Sequence, residues 1–299
     1  MATAKKLAAK KDPAKEPAKK KPAKKKSVVR RAKELLGKLL PSRKKTPAKP
    51  KKKPAKRGKR LLPAAEATEI AHRLAVTMPE PGHELSFRTP FELLIATILA
   101  AQSTDRTVNQ VMPTLLARFP GPHELAAAGQ DEVEILVKRT GFFRNKARAI
   151  RETAQQLVER HGGEVPDTME ALVALPGVAR KTANVVLGTA HRINAGFVVD
   201  THVARVTQRL RLTNQTQPER VEEDLCRAYE QTVWTDLGHR FTLHGRYTCL
   251  AKRPLCSDCP LNELCLSRES EPSDSWEQRS VREHARVRHG IDLSQRVPA

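Results

Sequence analysis

The sequence has few aromatic residues, few cysteines and no long apolar run. Aromatic side chains make up 4% of the 299 residues, and 5 cysteines are present. No stretch approaches the ~20 apolar residues that cross a bilayer. The basic N-terminus lacks the apolar run of about 7–15 residues that marks a secretory signal. We therefore expect a cytoplasmic protein without a membrane partner (nuclear if its source is eukaryotic), with cysteines kept as reduced thiols or metal ligands rather than disulfides.

Acidic residues are scarce at one end of the chain. Residues 1–63 contain 26 of the 55 Lys and Arg residues but 3 of the 33 Asp and Glu residues, so they carry a charge of +23, whereas the remaining residues carry −1. The segment is rich in Lys, Pro and Ala and has no aromatic residue, which predicts a disordered tail. Within it, Val28–Leu40 has the pattern of a short amphipathic helix. Such a tail binds phosphates non-specifically by releasing counterions; the alternative is a solvated segment that only aids solubility.

Strand-like alternation is nearly missing after residue 63 and occurs only in Phe197–Val199. Helical periodicity dominates, which predicts an all-α fold. Pro90 opens a segment, FELLIATILAAQ, that is apolar on nearly all sides and is predicted to be a buried helix. Asp105 is predicted to cap the helix that ends near Phe119. Residues 267–299 are polar and nearly neutral, which predicts a disordered C-terminal tail. The other predicted helices are Glu66–Met78, Glu132–Arg139, Asn145–His161, Thr168–Leu175, Arg180–Ala190, Thr201–Leu212, Pro218–Gln231 and Leu237–Tyr247.

Four of the five cysteines, Cys249, Cys256, Cys259 and Cys265, fall within 17 residues in the spacing C-x6-C-x2-C-x5-C. Four thiolates on one short loop can hold a [4Fe–4S] cluster or a zinc ion, and disulfides are a third alternative. Zinc ribbons usually have two C-x2-C knuckles, whereas this loop has one, so the spacing favours the cluster. Cys226 lies on an apolar helical face and is predicted to be a core thiol.

A tight turn joins two predicted helices within MEALVALPGVARKTANVVLG (Met169–Gly188). One helix ends near Leu175, Pro176 and Gly177 form the turn, and the second helix starts near Ala179, which makes a helix-hairpin-helix. The amides of such a turn and the positive end of the second helix bind DNA phosphate without reading bases. The motif therefore predicts DNA binding more strongly than catalysis.

Lys181 lies in the first turn of the second helix of this hairpin. It is either a further phosphate contact or an amine nucleophile. A free lysine has a pKa near 10.4, and lowering that pKa to about 7 costs roughly 4 kcal/mol. The helix dipole contributes only about 0.3–1 kcal/mol. If Lys181 is a nucleophile, we therefore expect desolvation in a closed pocket to supply most of the change.

Asp200 lies 19 residues after Lys181, in the segment FVVDTHVARV. An aspartate directly before a helix is most simply an N-cap. A carboxylate next to Lys181 would raise the pKa of the lysine and oppose its activation. If Asp200 is catalytic, it is expected to accept a proton or to stabilise positive charge that develops on a sugar.

Taken together, these segments resemble endonuclease III, within the helix-hairpin-helix glycosylase superfamily. The resemblance covers residues 64–266, about two-thirds of the chain, and the order and spacing of its motifs agree. The residues that carry it are FELLIATILAAQSTD, GFFRNKARAI, GEVP, LPGVARKTANVVLG, VVDTHVARV, LHGRYTC and the four-cysteine loop.

The resemblance implies two all-α domains with a DNA groove between them. A six-helix barrel that includes the hairpin would occupy residues 83–193, and the first helix, in residues 64–82, would pack with an iron–sulfur domain in residues 194–266. The four cysteines would hold a [4Fe–4S] cluster, and the protein would act as a monomer on damaged double-stranded DNA.

The resemblance also implies a bifunctional DNA glycosylase and abasic-site lyase of base excision repair. Lys181 would attack C1′ of a nucleotide flipped out of the duplex. The damaged base, an oxidised pyrimidine by family expectation, would leave, and β-elimination would cut the strand with help from Asp200. Gln102 and Phe142 match the positions that fill the vacated gap, although Phe142 taken alone reads as a core aromatic. The other implied DNA contacts are Leu175, Gly177, Val178, Ala179, Arg180 and His202.

The chain departs from the family pattern in its long basic tail and at Ala179, which replaces the second glycine of the hairpin. Alanine resists a positive φ, so phosphate binding would weaken if that position requires one. Glu84 and Leu85 precede the barrel and are candidates for lining the lesion pocket, and His202 is either a groove contact or a surface residue.

Two other functions remain open at this stage. An adenine-removing mismatch glycosylase of the same superfamily carries a catalytic glutamate where Thr97 stands and lacks the lysine, whereas here the nearest acid is Glu92 and Lys181 is present. A non-catalytic protein would only coat DNA, and it would form no covalent adduct.

Deleting residues 1–60 is expected to lower the slope of log Kd against log salt concentration, because each phosphate contact contributes ~0.9 to that slope. Single-turnover chemistry should stay nearly unchanged. The measurement is duplex DNA binding across a salt series. An unchanged slope would make the tail a bystander.

Overall fold

The structure is a computed structural model that describes residues 61–295. The predicted basic tail, including Val28–Leu40, lies outside the described residues except for its last three positions, and so do residues 296–299. Within residues 61–295, no helix is both long enough and apolar enough to span a membrane.

The described chain consists of twelve α-helices joined by short turns and loops, with no β-strand between residues 61 and 295. This confirms the predicted all-α class; the Phe197–Val199 segment is a buried, extended link between helices. The helices are α1 (Ala64–Thr77), α2 (Pro90–Ala100), α3 (Asp105–Arg118), α4 (Pro122–Ala127), α5 (Gln130–Val137), α6 (Phe143–His161), α7 (Met169–Val173), α8 (Arg180–Thr189), α9 (Thr201–Arg209), α10 (Pro218–Ala228), α11 (Trp234–Tyr247) and α12 (Trp276–Gln295).

Side-chain caps fix where the helices around the site begin. Thr89 accepts a hydrogen bond from the amide of Glu92 and starts α2, most of whose side chains are buried, as its apolar sequence predicts. The predicted cap of α3 is wrong by one residue, because Thr104 accepts from the amide of Thr107. Asp105 therefore keeps its carboxylate free of the cap and pairs with an arginine of another helix, as described below.

The described helices bury two separate apolar cores. Helices α2 to α8 enclose the first, which includes Leu94, Val108 and Val186. Helix α1, helices α9 to α12 and the cysteine loop enclose the second, which includes Leu74 and Phe241. Helix α1 is far from α9 to α12 in the sequence, but it joins their core because Ile70 and Leu74 on one of its faces are completely buried there.

A small third cluster joins the two cores. Leu93 of α2, Val185 of α8 and Val198 of the extended link pack together, with Phe87 and Ala190 at the edge. Helix α8 therefore belongs to the first core while one of its side chains reaches the link that leads into α9. This contact places the start of α8 and the start of α9 at the same cleft.

The prediction of a disordered segment over residues 267–299 is wrong for most of its length. Helix α12 runs for 20 residues and packs on α1, α3 and α11. Its buried face contains Arg279, Ser280 and Glu283 together with Val287. A composition-based argument assigns such polar residues to solvent, but here each charged one has a buried partner, which offsets part of the penalty for leaving water.

Candidate active site and iron–sulfur centre

A cleft of about 330 Å³ lies between the two cores. Both cores contribute to its wall, and its residues come from segments distant in sequence. The lining residues used below are Thr97 of α2, Gln102 and Asp105 before and in α3, Lys181 of α8, Asp200 before α9, Arg246 of α11 and the segment Gly82–Leu85. The cleft thus contains both residues that the sequence singles out for chemistry.

Lys181 is the second residue of α8 and its side chain is exposed to solvent. The closed pocket expected around this amine is therefore not found in the protein without DNA. Because an exposed ammonium is well solvated, the desolvation that a neutral amine requires has to come from a ligand that covers the cleft.

Asp200 is the N-cap of α9. Its Oδ1 accepts hydrogen bonds from the amides of His202 and Val203, each at 2.8 Å. The carboxylate is half-buried and lines the cleft with Lys181. The two interpretations of Asp200 are therefore compatible, since the cap bonds through one oxygen fix the orientation of a carboxylate that also borders the cleft.

The hairpin turn is shaped by Gly177, which has φ +76°. A Cβ at this position would lie 3.1 Å from Ala149 Cβ and 3.3 Å from Ile98 Cγ2, so both the backbone angle and the close packing on α2 and α6 require glycine. Thr153 of α6 also donates to the carbonyl of Pro176 at 2.8 Å. The turn is therefore pressed onto the first core.

Ala179, in contrast, has φ −91° and ψ 168°, an extended conformation open to any residue. The alanine that replaces the usual hairpin glycine is therefore not strained. It serves as the N-cap position of α8 without a side-chain cap, so the first amides of α8 have no acceptor from its own helix.

The predicted DNA contacts on the hairpin differ in what they can offer. The side chains of Leu175 and Val178 are buried, which leaves only their main chain for DNA. Arg180 donates from Nε and Nη2 to the two carboxylate oxygens of Glu222, each at 3.0 Å. Asn184 Nδ2 donates to the same carboxylate at 3.0 Å. Hydrogen bonding to Glu222 raises the pKa of Arg180, so a phosphate would have to compete with this pair.

Gln102 and Phe142 are both exposed and both have left-handed backbone angles, with φ +54° and +47°. Phe142 is 68% exposed, so it is not the core aromatic that its sequence position alone suggests. Each residue sits at a turn that begins or follows a helix, and a left-handed non-glycine residue costs free energy. Gln102 lines the cleft, and the side chains of both residues protrude into solvent, where a ligand can contact them.

A buried lysine that the sequence motifs did not indicate connects these two turns. Lys146 is 6% exposed, and its Nζ donates to the carbonyls of Leu99 at 2.8 Å and Thr140 at 2.7 Å. Burial lowers the pKa of Lys146. Its position on the apolar face of α6, four residues before Ile150, could have revealed it.

A network of charges forms another wall of the cleft. Arg246 donates to Asp105 Oδ2 at 2.6 Å and also to Glu84. Tyr247 donates its hydroxyl to Glu84 Oε1 at 2.7 Å. Burial raises the pKa of Glu84. The sequence pointed to Glu84 and Leu85 but not to Arg246, because residues about 160 positions apart meet only in the folded chain.

His202 does not border the cleft. It is half-buried against Gly245 of α11. Its Nδ1 lies 3.2 Å from Nη2 of Arg205 on its own helix, and burial lowers the pKa of His202. The histidines that do line the cleft are His83 and His239, whose rings are 5.4 Å apart. Burial lowers the pKa of His239 to about 3, so this residue presents a neutral imidazole.

The four cysteines of the loop line one common cavity at the end of α9 and α11. Arg209 Nη1 donates to Cys249 Sγ at 3.3 Å, and His244 Nε2 lies 3.7 Å from Cys259 Sγ. Four thiols that line one cavity, with nitrogen donors directed at two of the sulfurs, are a ligand set that suits an iron–sulfur cluster. Cys226 is half-buried in the second core, and burial raises its pKa.

Comparisons with known proteins define the class of this fold and site. Residues 95–231 match the family model of the HhH-GPD superfamily base excision DNA repair protein, and residues 249–265 match that of the iron–sulfur binding domain of endonuclease III. The chain is 48% identical over 204 residues to endonuclease III of Synechocystis sp., a match that covers 68% of this chain and 93% of the relative. It is 42% identical over 205 residues to endonuclease III of Escherichia coli, which covers 69% and 97%.

Solved structures agree with this class. A non-covalent endonuclease III–DNA complex matches with a TM-score of 0.66 and 38% identity, over 70% of this chain and 98% of that one. A thermostable thymine-DNA glycosylase, at 19% identity and a TM-score of 0.63 over 69% and 97%, shares the fold. The chain is thus a helix-hairpin-helix base excision repair protein. Within that class, it belongs to the endonuclease III family. The predicted iron–sulfur cofactor is confirmed by the second family model.

Gly177→Ala is expected to destabilise the protein by more than about 1 kcal/mol, because alanine resists a positive φ and its methyl would contact α2 and α6. Ala179→Gly should change stability by less than ~0.5 kcal/mol and leave the affinity for DNA unchanged, since its φ is negative. Denaturant unfolding and DNA binding at fixed salt measure both. Tighter binding by Ala179→Gly would show that the alanine does weaken phosphate contact.

Proposed function

We propose that the chain removes damaged bases, oxidised pyrimidines among them, from double-stranded DNA and cuts the resulting abasic strand through a covalent intermediate on Lys181. DNA glycosylase and abasic-site lyase activity follow from membership of the endonuclease III family. The observation that carries the assignment of residues is that Lys181 and Asp200 line one cleft between two cores.

The proposed reaction starts with a neutral Lys181 Nζ, whose electron pair attacks C1′ of the flipped nucleotide. The bond from C1′ to the base breaks, and the base leaves with the electron pair of that bond. The base gains a proton, and Nζ loses one. Ring opening gives an iminium between Nζ and C1′. Loss of a proton from C2′ then breaks the C3′–O bond, which cuts the strand, and water releases Lys181 by hydrolysis.

Desolvation by the DNA itself makes the neutral amine accessible in this scheme. In the free protein Lys181 is exposed, and the dipole of α8 disfavours an ammonium by only about 0.3–1 kcal/mol. A flipped nucleotide that fills the cleft would remove water from the amine and supply the larger contribution. The chemistry is thereby restricted to the complex with DNA.

Asp200 is proposed to act as a fixed carboxylate in this scheme. The cap bonds through Oδ1 hold it in one orientation. Such a carboxylate can stabilise positive charge on the sugar or accept a proton as the base leaves. Because the carboxylate is held before DNA arrives, little reorganisation is needed in the reaction.

Gln102 and Phe142 are proposed to hold the gap that the flipped nucleotide leaves. Their exposure and left-handed backbones support this role, as does the suitability of an apolar wedge for separating base steps. The amides of the hairpin around Gly177 would bind phosphate, while the four cysteines would hold the cluster next to α9 and α11. A bound cluster supplies charge and rigidity to that loop.

The remaining elements of the proposal concern partners and location. The basic tail, residues 1–63, is proposed to add non-specific DNA contacts because it holds essentially all the net positive charge. We further propose that the protein acts as a monomer in the cytoplasm on nucleoid DNA, or in the nucleus if its source is eukaryotic.

Lys181→Ala is expected to abolish borohydride trapping and strand cleavage on abasic duplexes while DNA binding persists, because no other amine would form the imine. Lys138→Ala, which removes an exposed lysine outside the cleft, is the matched control and should trap like the parent protein. Persistent trapping by Lys181→Ala would remove this residue from its role, and a parent protein that never traps would favour a non-catalytic DNA-binding function.

Asp200→Asn is expected to reduce single-turnover base release by at least about 10²-fold, as removal of a preorganised electrostatic group does. Stability should change by less than ~0.5 kcal/mol, because asparagine is an equally good N-cap. Asp200→Ala, which loses both functions, is the comparison. Base release and denaturant unfolding are measured on both variants. Unchanged turnover in Asp200→Asn would leave Asp200 with the cap role alone.

A further inference from the structure

Helix α12 lies outside both family models, whose matches end at residues 231 and 265. It nevertheless forms hydrogen bonds and ion pairs with the loop that contains the cysteines. Arg279 of α12 is fully buried, and its Nε donates to the carbonyl of Cys259 at 2.9 Å. Arg282 and Arg286 both pair with Asp258, the residue before that cysteine. The helix therefore contacts both the main chain of one predicted cluster ligand, Cys259, and the side chain of the residue before it.

A second set of contacts runs from α12 to the sulfur of that same ligand. Glu283, fully buried, lies with Oε1 2.6 Å from Nδ1 of His244 on α11. The other ring nitrogen of His244, Nε2, lies 3.7 Å from Cys259 Sγ. Carboxylate, imidazole and sulfur thus follow one another in a chain of contacts between three buried residues.

Stability alone does not account for Glu283. Its Oε2 is buried and has no hydrogen-bond partner among the described residues, and a buried acceptor left unpaired is destabilising. A carboxylate that fixes the orientation of an imidazole is, however, a recurrent device around protein metal centres. It determines which ring nitrogen carries a proton toward the centre.

We propose that Glu283 is a positioning residue for the iron–sulfur centre, which holds His244 so that its Nε2–H donates a hydrogen bond to the sulfur of Cys259. Hydrogen bonds to cluster sulfurs are among the determinants of reduction potential, and orientation of ligands by outer groups affects retention of the metal. Helix α12 is thereby part of the cofactor site of this chain. The inference rests on the iron–sulfur cofactor and not on the roles proposed for Lys181 and Asp200.

Two neutral variants in the full chain separate orientation from charge. Glu283→Gln and Glu283→Leu both remove the carboxylate charge, but the amide of glutamine can still hold Nδ1 of His244 and leucine cannot. We expect Glu283→Leu to have a lower midpoint potential than Glu283→Gln and to lose its cluster to an iron chelator about 10-fold faster or more, the lower range for outer-group changes. Decay of the visible absorbance of the cluster measures the loss.

Controls keep this test independent of folding and of catalysis. Glu277→Leu removes an exposed acidic residue of the same helix and should match the parent protein. If Glu283→Leu does not fold, pulsed electron paramagnetic resonance on parent protein with ¹⁵N-histidine decides, because the hydrogen bond requires coupling of one histidine nitrogen to the paramagnetic cluster. Equal potentials and equal loss rates in the two Glu283 variants, or no nitrogen coupling in the parent, would overturn the proposal. A parent protein that binds iron and traps no DNA would instead contradict the proposed function.

Discussion

The turn at Gly177 is the constraint on which the cleft depends. Its positive φ and its close approach to Ala149 and Ile98 press the hairpin onto the first core. Helix α8 can then begin in only one place, with Lys181 in its first turn and Val185 against the link that leads to Asp200. A side chain larger than hydrogen at this turn would press on Ala149 and Ile98, so the start of α8 would have to move.

The carboxylate in the cleft is held in one orientation, whereas the amine is exposed to solvent. Asp200 is oriented by two amide bonds before any ligand is present, whereas Lys181 is solvated. Lowering the pKa of a lysine to about 7 costs roughly 4 kcal/mol, and a helix dipole supplies a minor part of that. In the proposed mechanism, the reactivity of the amine therefore depends on a molecule that fills the cleft and excludes water.

Buried ionic groups serve positioning elsewhere in the molecule as well. Lys146 ties the turn after α2 to the turn before Phe142 through two carbonyls, and Arg246 ties α11 to Asp105 and Glu84. Each of these groups is costly to bury and useful only with its partners in place. The contacts of Arg246 connect the second core with Asp105 of α3, so the geometry of the cleft is set by directional contacts in addition to apolar packing.

The helical class, the cysteine loop and the hairpin could be predicted from the amino-acid sequence, because each depends on local spacing, periodicity or a single residue type. The resemblance carried by these motifs pointed to Lys181, Asp200 and Phe142, but it did not predict whether the ring of Phe142 is buried. The exposure of Phe142 and of Lys181, the pairing of Arg180 with Glu222 and the ordered helix α12 became apparent in the folded chain alone. These features depend on partners far away in the chain. A polar residue such as Glu283 is assigned to solvent by composition, and the fold reverses that assignment when it supplies a partner such as His244.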